Sequence, residues 1–348
     1  MKWLSSTMYS FALIVWVFFA VSSCSSTPYK PNGDPSHGAL KGPYGYTPGE
    51  AKLLTQVGEN YQGVFSPRGD RILFLSRSRP LHEQAQTYEL ILAIDKEKRV
   101  TYHDGENTSA IYGPEGNDVI YVSSTDELKE TLSFLKEQRQ PQTTENPAPL
   151  DGSEIYTSTL SGKNILRLTH RLGFDGQPTL NIKNQELIYV SQSKTHPELM
   201  SLQLASGKSR AILQSSQWLV EPHFSPAGDR LAWVEWNPKL DESQIWLSDY
   251  GKTLSPSAMT SGPYLHRWPR FHPSFGGVIY SSNENDGKNF ELYYASLDGQ
   301  CKQRLTYHLA DDLFPSFSPD GTKVLFTSNR TGLMQLYSMP FRAPACAN

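Results

Sequence analysis

Ten side chains in this sequence of 348 residues have the types that hold a polar or peptide ligand: Asn60, Tyr61, Asp175, Trp218, Glu221, His266, Arg267, Trp268, Asp311 and Asp312. Indoles, a phenol and a guanidinium anchor a partner through buried contact area, while carboxylates and amides fix its orientation. They fall in six short stretches: Gly58–Gly63, Glu106–Thr108, Gly173–Gln177, Gln217–Glu221, Tyr264–Trp268 and His308–Asp312. Each also has a plainer role open to it, since Asp and Asn cap turns and Trp218 or Trp268 can fill a core. Within the six stretches Glu59, Glu106, Asp175, Glu221, Asp311 and Asp312 outnumber a single arginine, Arg267. An acidic site of this kind favours a cationic segment or a metal ion.

Covalent chemistry lacks its motifs. The chain has no Gly-x-Ser-x-Gly, His-Glu-x-x-His, P-loop or Gly-x-Gly-x-x-Gly, and three cysteines do not make a Cys-type zinc site. Asn283-Glu-Asn-Asp-Gly287 begins like a calcium loop, but Tyr294 at the twelfth position cannot supply the bidentate carboxylate. It reads as a hairpin turn. No cofactor is expected.

Residues so scattered need a fold that returns the chain to one place at regular intervals. Phe65-Ser-Pro-Arg-Gly-Asp, Phe224-Ser-Pro-Ala-Gly-Asp and Phe317-Ser-Pro-Asp-Gly-Thr each lead into an alternating apolar strand. Phe271-His-Pro-Ser-Phe-Gly is a looser copy, and Tyr112 and Leu180 open two degenerate ones. The steps between these anchors are 47, 68, 44, 47 and 46 residues. Ser-Pro-x-Gly is turn chemistry, with Pro presetting φ and Gly supplying φ > 0. Third strands such as Glu291-Leu-Tyr-Tyr-Ala and fourth strands such as Gln303-Arg-Leu-Thr306 follow. Four strands per repeat of about 45 residues is a propeller blade. The expected fold is all-β: a six-bladed β-propeller of four-stranded antiparallel blades over 51–343, closed by an N-terminal strand. Ala51-Lys-Leu-Leu-Thr55 matches the fourth-strand pattern before blade 1, and the last repeat lacks one; closure leaves no open edge. The long step holds an insertion at 126–150, where Leu128, Leu132 and Leu135 in Asp126–Arg139 predict an amphipathic helix.

The two ends carry an address. Lys2 and the apolar run Phe11–Val21 form a signal peptide over 1–23, too short to span a bilayer comfortably. Val21-Ser-Ser-Cys24 resembles a bacterial lipobox, which implies lipidation at Cys24; ordinary cleavage near Ala20–Ser22 is the alternative. By the same resemblance Ser25 implies sorting to the inner leaflet of the outer membrane of a Gram-negative bacterium. Residues 24–50 read as a flexible tether and 344–348 as a C-terminal tail. Cys301 and Cys346 then remain, as two thiols or as a disulfide pinning the tail. A formal charge of −3 gives no basic face for nucleic acid.

The Phe-Ser-Pro-x-Gly repeats, with Asp311-Asp-Leu-Phe-Pro-Ser-Phe-Ser-Pro-Asp-Gly321, resemble the WD40-like propeller repeats of the TolB family over about 51–341. The same repeat occurs in the propeller halves of prolyl-oligopeptidase-like enzymes. The N-terminal α/β domain of TolB has no counterpart in residues 25–50. The resemblance thus implies a TolB-type propeller on a lipid anchor. The expected function is a non-enzymatic, monomeric periplasmic lipoprotein that binds an envelope protein or peptide. A propeller-class hydrolase or lyase acting on envelope glycans or peptides, and a structural assembly scaffold, are the alternatives.

Overall fold

A computed structural model describes residues 50–125, 152–192, 197–251, 253–274 and 276–344. The leader with Cys24, the tether, the insertion expected to be helical, and Cys346 lie outside the described residues.

The described chain forms six four-stranded antiparallel sheets, five taking consecutive strands in order and the sixth joining the last three strands to the first. The first strand of each sheet faces the axis: Glu59–Phe65, Asn107–Tyr112, Phe174–Asn181, Trp218–Phe224, His266–Phe271 and Asp312–Phe317 for blades 1 to 6. The Ser-Pro-x-Gly turns follow these strands and explain why the next strand starts where it does. Gly69, Gly228 and Gly321 donate to the carbonyls of Ser66, Ser225 and Ser318, each at 2.8 Å, with φ near +70°. The serine hydroxyls accept the Arg71, Arg230 and Lys323 amides at 3.2, 3.0 and 3.0 Å. Neighbouring turns also nest. A Cβ on Gly321 would lie 2.5 Å from the His272 ring and 3.2 Å from Pro273, both of blade 5.

The core lies between blades rather than inside any one of them. Each second strand contributes one large aromatic, Phe74, Tyr121, Tyr189, Trp233, Tyr280 or Phe326, none more than 1% exposed. Clusters join neighbours: Ile279, Leu292 and Tyr294 of blade 5 pack with Val324, Phe326 and Tyr337 of blade 6. Burying a side chain of this size is worth about 2–3 kcal/mol, so the six aromatics are a main source of ring stability.

Closure follows the expected route. Lys52–Leu53 pairs antiparallel with Gln335–Pro340, placing Lys52 opposite Ser338 and Leu53 opposite Tyr337. Thr55 Oγ1 accepts the Leu336 amide at 3.0 Å and donates to Gln335 Oε1 at 2.8 Å. Thr101, Thr169, Thr260 and Thr306 accept the amides of Thr87, Ile155, Ile245 and Leu292 in the same way, each at 2.9 Å. The N-terminal segment is the fourth strand of blade 6. Cys301, 1% exposed in the same blade 5–6 core, is disulfide-bonded.

Candidate functional site

Every innermost strand is bulged. The register slips between Tyr61 and Val64, Asn107 and Ser109, Gly176 and Thr179, Val220 and His223, Arg267 and Arg270, and Leu313 and Ser316. In five blades a non-glycine at the bulge takes the left-handed conformation: Gln62 (φ 55°), Gln177 (51°), Glu221 (56°), Trp268 (54°) and Phe314 (52°). Four of them precede a proline: Pro178, Pro222, Pro269 and Pro315. Proline has no N–H to give a ladder, so it fits where the bulge has already broken one, on a strand whose inner edge is unpaired. A bulge re-aims its side chain. Here all five bulge residues line the central channel.

The bulges also lean on one another around the ring. Gln177 Oε1 accepts the Glu221 amide and Glu221 Oε2 accepts the Trp268 amide, both at 2.7 Å. The Trp268 ring then meets the Phe314 ring at 4.2 Å between centroids. Arg267 donates to Glu221 Oε1 through Nε at 2.9 Å and through Nη2, with both side chains about 95% buried. Its guanidinium lies 5.5 Å from the Trp236 ring and 5.1 Å from that of Trp268. Trp218 packs edge-on to Trp236 at 5.5 Å. The mouth of the channel is therefore a set of indoles, phenyl rings and prolines held by hydrogen bonds between blades.

The structure divides the ten sequence-predicted residues. Trp218, Glu221, Arg267 and Trp268 come together on the channel wall. Tyr61 is half-buried against Trp268, Leu313 and Phe314, and burial raises its pKa. The other five are committed inside the ring. Asn60, fully buried, donates to Gln335 Oε1 at 2.8 Å and accepts from Arg79 at 2.9 Å. Asp312, also fully buried, takes Arg330 on both oxygens at 2.8 and 2.9 Å. Asp311 accepts the Phe290 amide at 3.0 Å, and burial raises its pKa. His266 is 0% exposed, 4.0 Å from Glu284, and burial lowers its pKa to about 4, so it is neutral. Asp175 is 1% exposed, and burial raises its pKa to about 7.

At the channel wall these positions remove the acidic balance that the six stretches carry in sequence. Asp311 and Asp312 are engaged within the ring and Asp175 is buried, while Glu221 is neutralised by Arg267. The charged residues lining the mouth are Glu221, Arg267 and Arg270, an excess of one positive charge. The residues that sequence reasoning passed over are Gln62, Gln177, Phe314 and Arg270. For Gln177, Phe314 and Arg270 the signal was present: a proline stands two residues before the anchor at 178, 222, 269 and 315.

Comparison with known proteins places this geometry. The TolB beta propeller domain matches residues 207–347. The structure of a putative TolB from Agrobacterium tumefaciens covers 84% of this chain and 94% of its own, with a TM-score of 0.61 at 17% identity. The ring is a six-bladed β-propeller similar in fold to that of TolB. A protein TolB homolog from Chlorobium luteolum is 25% identical over 157 residues, 45% of this chain and 34% of that protein, so the match spans about a third of the relative. An oligogalacturonate lyase in complex with manganese shares the fold as well, with a TM-score of 0.53, 16% identity, and 84% and 93% coverage. At such identities the likeness establishes the fold, and chemistry has to come from the channel itself. Among the described residues no group of three His, Cys, Asp or Glu is placed to hold a metal ion. What the channel wall offers is aromatic surface, two amides, and guanidinium groups at its floor.

Proposed function

We propose that the chain is a periplasmic lipoprotein, anchored at Cys24, that binds a peptide segment of an envelope protein in the propeller channel. One observation carries this reading: Trp218, Trp236, Trp268, Phe174 and Phe314 converge with three prolines and two glutamines on one concave wall. Such a wall presents rigid apolar anchors beside a few fixed polar groups, the combination that holds a peptide. The bulges fix those anchors before any ligand arrives, which lowers the ordering cost of binding.

Affinity capture from solubilised envelope tests it, using the anchored chain and a Thr108→Trp variant that fills the channel. Thr108 is half-exposed on the wall. The expected result is one stoichiometric protein retained by the wild type and lost with the variant. Retention by both would place the partner elsewhere. Turnover of an envelope glycan or peptide, sensitive to the same variant, would support the enzyme instead.

A further inference from the structure

Below the bulges the channel is lined by a ring of six side chains, one per blade, each standing one residue before its anchor: Val64, Ile111, Thr179, His223, Arg270 and Ser316. All six line the lower part of the channel, and Val64, Ile111 and Arg270 line the upper part too. These six therefore stand where the two parts meet. Five of its members carry no charge at neutral pH; burial, and then the Arg270 charge, hold the His223 pKa well below its usual value. Arg270 is the single charge among the six.

Its situation differs from that of six other arginines built into the ring. Arg71, Arg79, Arg167, Arg304 and Arg330 each hold a carboxylate at 2.6 to 2.9 Å, and Arg267 holds Glu221. Among the described residues no carboxylate lies within 4.0 Å of Arg270, whose one hydrogen bond runs from Nη1 to the Pro269 carbonyl at 2.9 Å. Glu221 is the acid whose charge reaches it, but both Glu221 oxygens are taken, by Arg267 and by the Trp268 amide. Burial lowers the Arg270 pKa only to about 10, so the group stays charged at neutral pH. A guanidinium offers five donors in a planar fork that suits a carboxylate, and that of Arg270 is partly exposed to the channel.

We propose that Arg270 is the receptor for a single carboxylate of a bound peptide, an Asp or Glu side chain entering from the aromatic mouth. This rests on the reading of the channel as a peptide site and adds the sign of its ligand. One free guanidinium matches one carboxylate and leaves the further charges of a polyuronate without partners. The aromatic wall above supplies contact for the apolar neighbours of the acidic residue.

A positional-scanning library of acetylated hexapeptide amides, read by quenching of the channel tryptophans, tests the assignment on the full mature chain. The wild type is expected to prefer Asp or Glu at one position. Arg270→Gln should lose that preference with on the order of a tenfold drop in affinity, while Arg270→Lys keeps part of it. Thermal melting of the same variants separates binding from folding: removing an unpaired cation should leave Tm equal or higher, and a large fall would make Arg270 structural and overturn the proposal. Peptide binding without acidic preference would overturn the role of Arg270 and leave the peptide channel standing. Binding of trigalacturonate with no peptide bound would overturn both.

Discussion

Asp312 holds Arg330 through both carboxylate oxygens while its neighbour Asp311 accepts the Phe290 amide. Removing one partner of a buried pair leaves the other uncompensated, typically at about 3–5 kcal/mol. The Asp311→Asn/Asp312→Asn double variant should therefore melt well below the wild type. A double variant with unchanged Tm but weakened partner binding would return these residues to the ligand face. Asp175 gives a test with a sign. Burial raises its pKa to about 7 from about 3.9 in an unfolded chain. Between those values the folded state keeps a proton that the unfolded chain has released, so stability falls as pH rises from about 4 to about 7. Asp175→Asn has nothing to titrate. Its Tm relative to wild type should rise between pH 4.5 and pH 8, and a flat offset would mean that the carboxyl is already charged in the fold.

The strand elements explain what was legible in advance and what was not. Ser66-Pro, Ser225-Pro and Ser318-Pro announced the turns because their chemistry is local: a hydroxyl, a fixed φ and a glycine within four residues. Thr55 announced the closing strand for the same reason, since Thr101, Thr169 and Thr306 end equivalent strands in the chain. The bulges escaped notice because Glu221-Pro and Trp268-Pro also read as ordinary strand ends, and only the slipped register shows where their side chains go. Closure can be tested at Thr55. Thr55→Val leaves the Leu336 amide without its partner and should cost about 1–3 kcal/mol. Thr306→Val, at the same place in blade 5, should cost a similar amount. A harmless Thr55→Val beside a costly Thr306→Val would show that blade 6 does not need its N-terminal strand.

At the scale of the whole molecule, the ring turns six ordinary edges into one channel whose charge could not be summed from its loops. Glu221 and Arg267 lie 46 residues apart and cancel across two blades. Arg270 sits three residues from Arg267 yet is left without a carboxylate, because pairing is decided between blades and not along the chain. Composition gave the six stretches an acidic balance; packing reversed it at the channel. The central claim is that this channel holds the ligand, and site-specific photo-crosslinking in cells tests it most directly. Benzoylphenylalanine would be placed at Thr108 or Gln177 on the channel wall, and at Tyr102 or Leu240, which are 68% and 64% exposed and do not line the channel. The account predicts one discrete crosslinked envelope protein from both channel positions and none from the other two. Crosslinks from Tyr102 or Leu240 alone would contradict it.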